Sequence, residues 1–319
     1  MAVEGSLHKL VRSEGGSDVL LVSFASAAAR PPKFSLYKSC LETGANVLFV
    51  NDDLSGWYRR GVLSMGPTEQ QTVAAIGQMA QLVKASRVVC LGSSMGGFGA
   101  LRYSALLGAD DCLATDFEIR LGIKGARSQS MGGIAYGDYM TDISRALPKR
   151  AGLYYSHSDL LDVMSASFVP TLSRLKVSMV RAPKHASLLQ MQNDGHLANL
   201  LAALVSGDSM LQCSLYPDIG LAGEQGMGQI AFELHTLFNS GCFKELLEAC
   251  KKLPDELFTY SLMSYLKGMG YYKTGDLVSA SVMMERSVVE AGGWVEPLAM
   301  LGVVRYKLGD LDGAIEHLR

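Results

Sequence analysis

The residues most able to do chemistry stand together in Val88-Val89-Cys90-Leu91-Gly92-Ser93-Ser94-Met95-Gly96-Gly97-Phe98-Gly99-Ala100. An apolar strand runs into Gly-x-Ser-x-Gly, and a helix follows. A serine on so sharp a strand-to-helix turn needs glycine at Gly92 and Gly96, and the turn leaves the Ser94 hydroxyl exposed at the end of the strand. Gly97 and Gly99 let the helix pack close to the strand. The Met95 amide, at the helix N-terminus, is placed to face an oxyanion. These residue types in this order predict a nucleophile for acyl transfer or hydrolysis, with a purely structural glycine turn as the bland alternative.

A serine hydroxyl is a weak nucleophile at neutral pH and needs a base, itself oriented by a carboxylate. His196, in Gln192-Asn193-Asp194-Gly195-His196, is the preferred base because it is expected in a loop after the last strand and before an apolar helix. His185 is the runner-up, nearer the preceding strand. For the acid, Leu153-Tyr154-Tyr155 leads into Ser156-His157-Ser158-Asp159-Leu160-Leu161-Asp162. Asp159 is preferred as closer to the strand end, with Asp162 as the alternative. His157 is a loop residue near the site that could touch substrate. A second oxyanion donor is expected at Ala25, in Phe24-Ala25-Ser26. Trp57 and Tyr58, in Asp52-Asp53-Leu54-Ser55-Gly56-Trp57-Tyr58, either line an acyl or sugar pocket or serve only as packing.

These residues need a scaffold, and short apolar runs alternating with amphipathic ones supply it. Candidate strands are Asp18 to Phe24, Asn46 to Asn51, Arg87 to Leu91, Cys112 to Thr115, Gly152 to Tyr155 and Lys176 to Val180. Thr68 to Lys84 carries Val73, Ile76, Met79, Ala80 and Val83 at helical steps. The β-α-β-α order predicts an α/β fold with a mostly parallel, doubly wound sheet. The glycine-rich segment from Asp116 to Arg150, with Gly122, Gly125, Gly132, Gly133 and Gly137, reads as a cap or as a surface excursion.

The elbow and the Ser, acid, His chain order over residues 18 to 206 resemble the α/β-hydrolase superfamily. The resemblance implies a cofactor-free esterase, lipase, thioesterase, peptidase or acyltransferase working through an acyl-serine. The sequence departs from larger members by starting almost at a central strand, with little room for antiparallel edge strands. It also lacks a His-Gly-Gly signature for the second oxyanion donor.

Beyond residue 207 the period changes. Gly241, Gly275 and Gly309 recur every 34 residues, and Tyr-Lys-x-Gly-Asp-Leu stands at both Tyr272 to Leu277 and Tyr306 to Leu311. This segment resembles the tetratricopeptide repeat family, with small Gly268, Gly302, Ala280 and Ala314 where paired helices touch. The resulting division is 1–206 for a hydrolase-like catalytic domain, 207–226 for a linker and 227–319 for about three all-α helical repeats, the last incomplete. The resemblance implies a surface that binds a protein partner or recruits a polymer-linked substrate.

Bulk properties narrow the alternatives. Apolar residues make up 48% of the chain and charged residues 19%. That balance excludes a disordered chain. The 29 basic and 31 acidic residues are scattered, so no basic stripe points to nucleic acid. No apolar run approaches the ~18 residues of a membrane span, and no leader pattern opens the chain. The six cysteines form no CxxC pair and read as buried free thiols, which fits a reducing, cytoplasmic setting. No HExxH or Cys-His ligand spacing predicts a metal. The leading expectation is a serine esterase acting on an ester or thioester. A catalytically inactive scaffold acting through its repeats and an acyltransferase using the same serine are the alternatives.

Overall fold

The computed structural model describes residues 3–52, 56–131, 142–208, 216, 219–291 and 294–318. Eight strands form one sheet: β1 (Val3–Gly5), β2 (His8–Val11), β3 (Val19–Phe24), β4 (Asn46–Val50), β5 (Arg87–Ser93), β6 (Asp111–Thr115), β7 (Ala151–Ser156) and β8 (Leu175–Val180). Their spatial order is β1-β2-β4-β3-β5-β6-β7-β8. Strands β3 to β8 are mutually parallel, while β1 and β2 add antiparallel at one edge. All six expected strands form. The two edge strands correct the expectation that the chain begins at a central strand; at three and four residues they are too short to show a period.

The parallel strands read as unbroken apolar runs because both faces are covered. Leu20, Val22, Phe24, Cys90 and Ala114 face one core, and Val19, Leu21, Val89, Leu91 and Leu113 face the other. The first core is closed by α2 (Glu69–Leu82), α3 (Met95–Leu107) and α5 (Leu160–Ser167). The second is closed by α1 (Tyr37–Leu41), α6 (Ser187–Asn193) and α7 (His196–Ser206). A five-residue helix, α4 (Arg127–Met131), follows β6. Helix α2 starts where the Thr68 hydroxyl accepts from the Gln71 amide, an ordinary N-cap.

Six further helices follow as three pairs: α8 (Met227–Asn239) with α9 (Phe243–Lys251), α10 (Ser261–Thr274) with α11 (Leu277–Val289), and α12 (Glu296–Leu308) with α13 (Leu311–Leu318). Gly241, Gly275 and Gly309 sit in the three intervening turns at φ +71°, +93° and +85°. A left-handed residue of this kind ends the first helix of each pair. Gly268 meets α11 so closely that a Cβ would lie 3.0 Å from Met284 Cε and 3.2 Å from Met283 Cβ.

This helical region packs on the sheet-bearing part. On α8, a Cβ at Gly228 would stand 2.6 Å from the Phe168 ring. Met227, Ala231 and Leu234 join Leu160, Leu161 and Met164 in a single core that continues through Leu257 and Phe258 to Trp294. Among the described residues no helix is long and apolar enough to cross a membrane.

Candidate active site

Strand β5 delivers Ser94 to the turn before α3, at φ 58° and ψ -123°. L-residues seldom occupy that region. The glycines explain how the turn closes. A Cβ on Gly92 would lie 2.0 Å from the Gly96 carbonyl oxygen, and one on Gly96 would lie 2.2 Å from that of Phe24. The Ser94 amide donates to the Thr115 carbonyl at 2.9 Å, fixing the turn to the end of β6. Ser94 itself is half-buried and reachable from solvent.

The side chain brought to Ser94 is His185. Its Nε2 lies 2.8 Å from Ser94 Oγ, and its Nδ1 lies 2.7 Å from Asp162 Oδ1. His196 is elsewhere: residues 187–193 fold into α6 rather than a loop, so His196 opens α7 with its ring edge-on to Tyr216 at 5.4 Å between centroids. The imidazole hydrogen-bonded to Ser94 is that of His185, in the short connection between β8 and α6. Asp159 is likewise occupied differently, as the N-cap of α5, where Oδ1 accepts from the Leu161 and Asp162 amides at 3.0 and 3.2 Å. With its carboxylate turned back on the helix end, Asp162 in the first turn is the acid that reaches the imidazole.

Two serines stitch the acid-bearing turn to the base-bearing loop. The Ser156 and Ser158 hydroxyls donate to the Ala182 carbonyl at 2.8 and 2.7 Å, and the Lys184 amide donates to Ser158 Oγ at 2.6 Å. Arg127 braces the other side, donating to Asp162 Oδ1 at 3.0 Å and to Asp159 Oδ2 at 2.5 Å. Asp116, at the end of β6, accepts the Ser187 amide at 2.9 Å. These residues depend on contacts between distant segments, which sequence spacing does not display.

The electrostatics follow from burial against charge. Desolvation disfavours the His185 imidazolium, but the Asp162 carboxylate beside it, with Asp116 behind, outweighs that and raises its pKa to about 9. An opposite charge at contact distance favours the charged form in this way. Burial would raise the Asp159 carboxyl, yet Arg127 and His185 hold it below the usual range.

Met95 opens α3, so its amide belongs to the helix-start donors without an intrahelical acceptor. The expected second donor is corrected: the Ala25 amide is spent on the Val50 carbonyl at 2.9 Å, and the Ser26 amide on Ser35 Oγ at 3.0 Å. Trp57 and Tyr58 are buried in packing contacts. The Tyr58 hydroxyl donates to the Ala25 carbonyl at 2.7 Å, and Trp57 meets Phe98 edge-on. His157 is buried at the seam with the helical region, edge-on to Trp294, and desolvation lowers its pKa to about 4. Gly132, Gly133 and Gly137 of the expected cap, Asp53 to Ser55, and much of the expected linker lie outside the described residues.

Asp116, Asp162 and His185 place ligand atoms within 4.8 Å of one another, a spacing compatible with a metal ion. Both nitrogens of His185 are, however, already engaged by Ser94 and Asp162. Those bonds suit proton transfer, not metal ligation.

No protein-family model and no curated protein matches the chain. Among solved structures it is similar to the Glycosylation Associate Protein complex from Streptococcus agalactiae, at 15% identity over 64% of this chain with TM-score 0.48. It spans 45% of that chain's length, under half. It is also similar to a capsule O-acetyltransferase of Neisseria meningitidis serogroup A, at 14% identity over 62% of this chain and 94% of that one with TM-score 0.44. A carboxyl esterase from Tuber melanosporum aligns at 12% identity over 65% of this chain and 85% of that one, with TM-score 0.47. The architecture is a mostly parallel, doubly wound sheet flanked by helices.

Proposed function

We propose that the chain is a serine hydrolase that cleaves an ester, thioester or related acyl bond through an acyl-serine. The observation that carries this reading is the unbroken bond line from Ser94 Oγ to His185 Nε2 and from His185 Nδ1 to Asp162 Oδ1, at 2.8 and 2.7 Å. Ser94 attacks the acyl carbonyl while its proton passes to His185 Nε2. Asp162 keeps the imidazole oriented and balances the imidazolium. The tetrahedral oxyanion is received by the Met95 amide at the helix start, and collapse returns the proton from His185 to the leaving oxygen or sulfur. Water, activated by the same imidazole, then releases the acid.

Acyl transfer shares the first half of this sequence and differs only in the nucleophile of the second. The helical pairs, whose 34-residue period resembles tetratricopeptide repeats, are proposed to hold a protein partner or a polymer-linked substrate beside the site. Among the described residues five cysteines are free thiols, four of them buried, which suits a reducing compartment.

A fluorophosphonate probe read by intact mass tests the assignment. The wild-type chain is expected to gain one adduct, Ser94→Ala to gain none, His185→Ala to label at least about 10³-fold more slowly, and Asp162→Asn to label more slowly by about tenfold or more. His196→Ala is expected to label like wild type. A folded wild-type protein that takes no adduct would instead favour a binding protein built on a silent hydrolase fold.

A further inference from the structure

The site holds one more buried carboxyl than a serine, histidine and aspartate relay uses. Asp116 is 1% exposed and sits at φ 49°. That backbone state costs free energy for a non-glycine residue. Its Oδ2 accepts the Ser187 amide, whereas Oδ1 has no hydrogen-bond partner among the described residues. The Oδ2 of Asp162, also 1% exposed, likewise has none. Carboxylate oxygens of both residues and an imidazole nitrogen of His185 fall within 4.8 Å of one another.

Two buried carboxyls this close cannot both ionise cheaply. The groups around Asp116 show which one gives way. On α5 are Asp162 and, beyond it, Asp159; on α4 is Arg127; after β8 is His185; two residues along the chain is Glu118, which accepts the Ser128 amide. Arg127 is the permanent cation in this group, and its bonds go to Asp159 and Asp162. Asp116 has no such partner among the described residues, and burial followed by repulsion from Asp162 raises its pKa to about 7.

We propose that Asp116 is a positioning residue for His185: a second carboxyl that, once ionised, adds its charge beside the imidazole and takes over the Nδ1 bond when Asp162 is lost to it. The inference rests on the Ser94, His185 and Asp162 assignment and adds a fourth member. Arg127 supplies the reason a second carboxyl is useful, since it donates to the same Asp162 oxygen that serves the imidazole. If Asp162 becomes amide, the repulsion that opposes ionisation of Asp116 disappears. Asp116 then releases its proton to solvent and faces the imidazole as the anion.

The test uses two readouts. His185 is titrated by NMR in a Ser94→Ala background, which needs no turnover, with Asp116→Asn, Asp162→Asn and both together. Asp116→Asn is expected to lower the His185 pKa by about one unit, and the double variant to lower it further. In parallel, with Ser94 intact, Asp162→Asn is expected to react with fluorophosphonate at least about tenfold faster than the double variant, with a rate that rises as Asp116 ionises. Thermal melts establish folding. Asp116→Ser, which keeps an oxygen for the Ser187 amide, replaces the Asn variant if that one unfolds.

A His185 titration unmoved by the Asp116 substitutions, with equal labelling of Asp162→Asn and the double variant, overturns the proposal. Absence of wild-type labelling together with a His185 titration that does move separates the two readings: the carboxyl pair stands and the acyl chemistry falls.

Discussion

Arg127 and His185 share one oxygen: Asp162 Oδ1 accepts from the guanidinium at 3.0 Å and from the imidazole at 2.7 Å. The same guanidinium neutralises Asp159, so a single half-buried cation serves the N-cap carboxylate and a first-turn carboxylate of α5. Replacing Arg127 with Met keeps the bulk and removes the charge, leaving those carboxylates buried and unbalanced. We expect a loss of about 3–5 kcal/mol in urea unfolding. A loss under about 1 kcal/mol would show that the pair is solvated and not bracing the site.

The pH dependence has a definite sign. His185 is raised to about 9, so the neutral base becomes abundant only as pH climbs toward that value. The second-order rate of fluorophosphonate labelling is therefore expected to rise between about pH 6.5 and 9. For stability the direction reverses. A histidine whose folded pKa exceeds its unfolded value contributes fully below the unfolded pKa of about 6.5. That contribution is lost as pH rises through about 9. Urea midpoints across this window check it, with His185→Ala expected to lack the fall.

The serine stitch predicts a split between stability and rate. Ser158→Ala removes the donor to the Ala182 carbonyl and the acceptor of the Lys184 amide. Ser156 still reaches Ala182, so we expect a cost of about 1–3 kcal/mol and a folded protein. The base loop is then less firmly placed, and labelling should slow by roughly tenfold or more, since small misplacements of a base are expensive. Unchanged labelling would mean that the loop is held by other contacts.

Gly96 offers a steric test. Its Cβ would meet the Phe24 carbonyl oxygen at 2.2 Å, which is backbone and cannot step aside as a side chain can. Gly96→Ala is expected to abolish labelling and to lower the melting temperature. At Gly99 the nearest atoms are ring carbons of Tyr58 and Phe24, at 2.7 and 2.9 Å, so Gly99→Ala should cost less.

The parallel strands were legible because burial on both faces turns each into an apolar run, as in Val88 to Leu91. Ser94 was legible because the backbone of its turn demands glycines at fixed offsets. That His185 and not His196 meets Ser94 is hidden from the sequence for a physical reason: α6 has seven residues and buries only Ser187 and Met191, too little to show a period. Asp159 carried a readable warning, since an aspartate just before Leu160 and Leu161 suits an N-cap, which leaves Asp162 for other work. Arg127 and Asp116 come from segments remote in sequence from the residues they serve, and local pattern cannot bring them together.

The apolar core running from Leu160 and Leu161 through Met227, Ala231 and Leu234 to Phe258 and Trp294 has a consequence for inheritance and engineering. A gene fragment ended at residue 206 would not free a finished domain, because α5, the helix bearing Asp162, would present Leu160, Leu161 and Met164 bare to water. Grafting the helical pairs onto another sheet-bearing chain would likewise carry only half of a joint. Recombination at this junction is expected to yield soluble protein only when the recipient surface is exchanged along with the helices.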